Sequence, residues 1–143
     1  MKCFKQKFES FNLKKINIKK INIIILSHVL EHVHNPYEVL KKIVDHTSED
    51  VKIFIEIPRT ELMIKNLRFD QIFFQHRSYF TDTSINTIFQ NLNLCVITKK
   101  INYKHWGGTN LYCLKKKNSN LKLIIKKNLK KNFLIRFKIF KKK

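Results

Sequence analysis

Residues 21–27, INIIILS, form an almost unbroken run of β-branched positions. Such a run predicts a strand buried on both faces, as in a parallel sheet flanked by helices. Asn35-Pro36-Tyr37-Glu38 reads as a helix start, with Asn35 as cap, Pro36 at the first helical position and Glu38 where a capping-box acid sits. Tyr37, Leu40, Ile43 and Val44 would line one face of that helix, which fades near Thr47-Ser48. Val51, Ile53, Ile55 and Ile57 then alternate with Lys52, Phe54 and Glu56 until Pro58 stops a second strand. Strand, helix and strand in this order are most simply a right-handed parallel crossover, and the fold class is α/β.

Residues 59–80 are irregular, one helical turn followed by an aromatic loop. Helical spacing resumes after Thr81-Asp82 with Ile85, Ile88, Phe89 and Leu92. Residues 94–101 and 110–114 read as two strands on either side of a Gly107-Gly108 turn, an antiparallel pair at a sheet edge. Leu121, Ile125, Leu129, Phe133 and Phe137 recur every four residues in a Lys-rich stretch, the pattern of a basic amphipathic helix packed on the body or lying on an anionic surface. The chain thus divides into a basic segment at 1–20, a folded body at 21–115 and a basic tail at 116–143.

Charge sharpens that division. The formal net charge of the 143 residues is +20, yet residues 23–114 carry ten basic and nine acidic groups. The flanks hold the excess, which raises a reading as a non-enzymatic module that binds nucleic acid or an anionic membrane. Against it, Lys, Ile, Asn and Phe make up half the chain, Ala is absent, and only Arg59, Arg68, Arg77 and Arg136 are arginine. This composition follows A/T-rich codons. Selection for phosphate contacts would have kept more of arginine's planar fork. Hydrophobic residues at 43% suffice for a core, so wholesale disorder is excluded for the body. Cys3, Cys95 and Cys113 form no CxxC pair, and no apolar run approaches a membrane span, so a soluble cytoplasmic protein is expected.

Chemistry concentrates in residues 27–36, SHVLEHVHNP. His28-x-x-Glu31-His32 matches an inverted zinc-protease pattern, in which two histidines one helical turn apart hold the metal. The buried strand before it and the helix start at Asn35-Pro36 leave little room for the required helix, and no third ligand is evident, so no metal is assigned. His28 and His32 are equally read as groups that cap or hydrogen-bond at a strand end, and Glu31 as support for the helix start or a neighbouring His. Tyr79 and Phe80 read as core plugs beneath the aromatic loop. Trp106 is either a packing anchor or a ring that stacks on substrate.

The same ten residues resemble the fourth-strand region of class I S-adenosylmethionine-dependent methyltransferases, where a β-branched strand leads into Ser-His-Val-Leu-Glu-His-Val, an Asn-Pro turn and a helix. Residues 50–58 (DVKIFIEIP) are similar to that family's fifth strand. Residues 73–80 (FFQHRSYF) with Thr81 resemble its H-x-x-x-F-(S/T) segment, found in small-molecule and sugar methyltransferases. Residues 94–114, with the His105-Trp106-Gly107-Gly108 turn, resemble its last two strands. The resemblance spans residues 21–115 and implies a partial Rossmann-like sheet of parallel strands plus a C-terminal antiparallel pair. It implies S-adenosylmethionine as methyl donor and a small-molecule acceptor, such as a nucleotide-linked or surface sugar.

By the same resemblance Ser27 and His28 lie near the methionine portion of the cofactor, His32 lies deeper in the pocket, and His76 reaches the substrate. An imidazole suits proton removal from a hydroxyl or activated carbon as the methyl group arrives. In sugar C-methyltransferases a Tyr and a Glu accompany this His. The matching places hold Phe73 and Gln75, which weakens a carbon-methylating role. The family's Gly-rich turn has no counterpart, because Gly107 and Gly108 are the chain's two glycines. The expectation is therefore the C-terminal half of a methyltransferase, inactive alone or completed by a partner chain that supplies the missing strands.

Overall fold

The computed structural model describes residues 10–12, 17–104 and 107–117. Cys3, His105-Trp106 and the amphipathic segment 118–143 lie outside the described residues. The order of elements is β1 (Ile23–Ser27), α1 (Pro36–His46), β2 (Lys52–Pro58), α2 (Thr60–Lys65), α3 (Asp82–Asn91), β3 (Leu94–Asn102) and β4 (Thr109–Lys116). Short 3₁₀ turns occupy Ile18–Lys20 and Phe69–Gln71.

Both long helices begin where their capping residues dictate. The Asn35 side chain accepts the Glu38 backbone N–H at the start of α1, and Pro36 sits in the first turn, where its missing N–H costs nothing. At α3, Thr81 and Ser84 satisfy each other's backbone N–H groups in a full capping box. The irregular stretch contains more helix than one turn, because Thr60–Lys65 forms α2.

The strands form one sheet in the order β1-β2-β4-β3. β1 and β2 are parallel, with Ile24 beside Ile53 and Leu26 beside Ile55. β4 runs antiparallel to both neighbours, so the expected antiparallel pair closes one edge. Val39, Leu40 and Ile43 of α1, with Ile85 and Phe89 of α3, pack on one face against Ile53, Ile55, Ile57, Tyr112 and Leu114. Each fully buried aliphatic side chain contributes about 1.5–3 kcal/mol relative to an exposed one.

The opposite face corrects one expectation. β1 was expected to be buried on both faces, but Ile23 and Ile25 are 56% and 70% exposed, whereas Leu26 is buried. Among the described residues no element packs on that side, and β1 is an edge strand with one parallel neighbour. Its continuous apolar run therefore suits a strand covered on both faces, of which the described residues cover one.

Asp82 fastens α3 to the sheet. It receives hydrogen bonds from Lys99 Nζ (2.5 Å), Tyr112 OH (2.9 Å) and Asn110 Nδ2 (3.1 Å), while its backbone N–H donates to the Glu61 carboxylate of α2. Burial pushes the Asp82 carboxyl up, but the hydrogen bonds from Lys99 and Tyr112 and the Lys99 charge outweigh it and hold it below the ordinary value. Burial, joined by the bond to Asp82, pushes the Tyr112 phenol far up, so it remains a donor.

Candidate active site

The chain leaves β1 through a turn, not a helix. His28 takes a left-handed backbone with φ of 51°, and its N–H donates to the Glu56 carbonyl of β2 at 3.0 Å. A β-carbon in that region carries local strain, tolerated here because β2 holds the turn in place. The turn sends Glu31 inward, where it is 1% exposed, and leaves His32 on the surface. His28 Nδ1 lies 2.9 Å from Glu31 Oε1, so the buried carboxylate fixes that imidazole as the reading of Glu31 as a His partner anticipated.

The loop 73–80 closes over this turn. Arg77 and Ser78 donate their backbone N–H groups to the Glu31 carbonyl at 2.7 and 3.2 Å. His32 Nδ1 donates to the Gln75 carbonyl at 3.1 Å, and the Arg77 guanidinium lies 3.0 Å from His34 Nδ1. Tyr79 OH accepts the Phe73 N–H and donates to the Phe73 carbonyl, so it pins the loop as well as filling space. Phe80 is a core residue. These ties bring His76 edge-on to His32, with ring centroids 4.7 Å apart. Burial lowers the His76 imidazole below its ordinary value. The Glu31 charge pulls it up, and the His32 and His28 charges add to the lowering.

His28 and His76 line a cavity of about 140 Å³ together with Arg59, Thr60, Gly108 and Thr109. Ser27 lies one strand position from the turn, and its hydroxyl donates to Glu56 Oε2 at 2.9 Å while Thr109 Oγ1 donates to Glu56 Oε1 at 2.9 Å. Glu56 thus joins the C-terminal ends of β1 and β2 to the start of β4. Of the four expected site residues, His28 and His76 share the cavity wall, His32 meets the His76 ring edge-on, and the Ser27 hydroxyl bonds to Glu56 at the strand ends.

Three residues at this site were not legible in the sequence. Arg59 and Thr60 follow β2 and place Arg59 Nε and Thr60 Oγ1, both buried and without a hydrogen-bond partner, near the cavity wall. Arginine retained in a chain that uses Lys almost everywhere else was the available signal for Arg59. Glu56 alternates as a solvent-facing strand residue should, and nothing local marks its bond to Thr109 in another strand.

Parallel strands followed by an antiparallel last strand match the sheet of class I methyltransferase folds, and in open α/β sheets ligands bind beyond the strand C-termini. A family model described as a methyltransferase domain matches residues 2–99, and the chain belongs to that family. The C-methyltransferase NovU of Streptomyces niveus is 35% identical over 77 residues, which is 54% of this chain and 18% of that protein. The magnesium protoporphyrin IX methyltransferase of Synechocystis PCC 6803, solved with bound SAH, superposes with a TM-score of 0.57 at 11% identity over 78% of this chain and 49% of that one. An S-adenosylmethionine-dependent methyltransferase from Clostridium acetobutylicum ATCC 824 gives 0.56 at 11% identity over 79% and 63%. The chain spans less than a fifth of the curated relative and about half of the first of these structures.

The matches give the nucleic-acid and membrane reading no support. Among the described residues no helix is long and apolar enough to cross a membrane. S-adenosylmethionine is the cofactor named with this fold. The chain holds no Gly-rich cradle, since both glycines sit in the β3–β4 turn.

Proposed function

We propose that this chain is the acceptor-side portion of an S-adenosylmethionine-dependent methyltransferase acting on a small molecule, with a nucleotide-linked or surface sugar as the acceptor class. The reading is carried by one observation: His76, 44 positions beyond His32 in sequence, meets it edge-on beside a cavity at the strand C-termini. The C-methyltransferase named above, 35% identical over 77 residues, supports methyl transfer as the reaction class.

In this reading Ser27 and His28 face the methionine end of the cofactor, which when bound supplies the electrophilic methyl group. His76 takes the proton from the acceptor hydroxyl or activated carbon, and His32 sets its orientation and closes the pocket beside it. Arg59 and Thr60 offer their unpartnered polar atoms to the acceptor. The cavity of about 140 Å³ is smaller than the roughly 300–1,000 Å³ of a complete ligand pocket, so it is one wall of the acceptor site. Alignment of donor and acceptor remains the larger part of the rate enhancement. Residues 1–20, 21–115 and 116–143 are assigned as basic N-terminal segment, methyltransferase-like body and basic tail, and a partner chain that carries a Gly-rich turn would complete the cofactor site.

Calorimetric titration with S-adenosylmethionine tests the reading, with the chain alone and mixed with a methyltransferase half that carries the Gly-rich turn. Binding in the mixture is expected, and His76→Ala should then slow methyl transfer roughly 10²–10⁴-fold while leaving cofactor affinity intact. Absence of binding under both conditions would reduce the chain to a fold remnant.

A further inference from the structure

We infer that Glu31, His32 and His76 form a binding site for one divalent transition-metal cation, with zinc the best fit to the donor set. One nitrogen from each imidazole and one carboxylate oxygen lie within 4.8 Å of one another. Two imidazoles and a carboxylate are a ligand set that zinc and neighbouring first-row metals favour. The inference stands on side-chain geometry and does not depend on methyl transfer by this chain.

Glu31 supplies the second, independent observation. Its carboxylate is almost wholly buried, Oε1 takes the His28 Nδ1 hydrogen bond, and Oε2 has no hydrogen-bond partner. A buried carboxylate oxygen without a donor is costly unless a cation or proton compensates it. His32 is prepared in the same sense. His32 must carry its proton on Nδ1 to donate to the Gln75 carbonyl, which leaves the lone pair on Nε2 for a metal. His28 plays the supporting part, because it holds the carboxylate as outer hydrogen-bond partners hold metal ligands elsewhere.

Bonds of about 2.0–2.2 Å set tetrahedral ligand atoms roughly 3.4 Å apart, so the three groups draw in by up to about 1.5 Å on binding. His32 is exposed and His76 half-buried on a loop, so side-chain rotation can supply this, while the Arg77 and Ser78 bonds to the Glu31 carbonyl keep the two segments together. The sequence pattern His28-x-x-Glu31-His32 lacked a third ligand. The fold supplies it from His76 and moves His28 out of the ligand set. A cation bound here occupies the lone pair that proton removal by His76 requires, so loading silences that step.

The test is calorimetric titration of the full, tag-free chain, stripped with a chelator, with zinc chloride, alongside the visible absorption of the cobalt(II)-loaded chain. One equivalent of uptake is expected, with a cobalt spectrum typical of nitrogen and oxygen ligands. His76→Ala and Glu31→Gln should each weaken it by more than roughly tenfold. His46→Ala, on α1 with Nδ1 against the Lys42 carbonyl, should leave it unchanged. His76 is on a loop, so His76→Ala decides the matter even where the buried Glu31→Gln does not fold. No uptake, or uptake that His76→Ala leaves unaltered, overturns the inference.

Discussion

At the residue scale, the site depends on backbone conformations that few side chains accept. His28 holds a positive φ at the β1 exit, and Gly107 and Gly108 take φ of 91° and 100° between β3 and β4. A β-carbon added at Gly108 would stand 2.8 Å from Leu62 Cδ1, a residue of α2. Gly108→Ala is therefore expected to destabilise the fold by about 1–3 kcal/mol, measured as a lowered urea midpoint. An unchanged midpoint would mean that the turn relaxes without strain. The glycine pair was legible as a turn from the sequence alone. The fit of Gly108 against Leu62 was not, because nothing in a local window reports what another element places there.

At the element scale, capping and periodicity decided where α1 and α3 begin. Thr81→Ala removes the acceptor for Ser84 N–H and should cost about 1 kcal/mol in a denaturant titration, more than Thr83→Ala on the exposed side of the same helix. Asp82 makes α3 sensitive to acid. Its folded-state value lies below the unfolded one, so its contribution is present above about pH 3.9 and is lost as pH falls through the folded value. Asp82→Asn should flatten the acid limb of the stability curve, read from urea midpoints at successive pH values. An acid limb identical to that of the parent chain would show that Lys99 and Tyr112 hold α3 without the charge. The capping residues were visible as sequence, whereas the bonds from Tyr112 and Asn110 to Asp82 required β4 to lie beside β2.

At the scale of the molecule, the described residues pack against one face of the sheet and leave the other open. Ile55 is fully buried between the helices and the sheet, and Ile55→Ala should cost about 2–5 kcal/mol. Ile25→Ala, on the uncovered face, should move stability by no more than about 0.5 kcal/mol in the same assay. A large loss at Ile25 would show that something covers that face in solution. Among the described residues β1 has one strand neighbour, so its outer edge keeps backbone groups that a further strand could pair.

The order strand, helix, strand, helix and antiparallel pair was written in the sequence, because periodicity, caps and turn residues act over a few positions. Tertiary structure alone decided the strand order β1-β2-β4-β3, the exposure of Ile23 and Ile25, and the meeting of Glu31, His32 and His76. Those outcomes depend on which distant segments lie side by side. A run such as INIIILS carries the same local signal whether one face of it or two are covered.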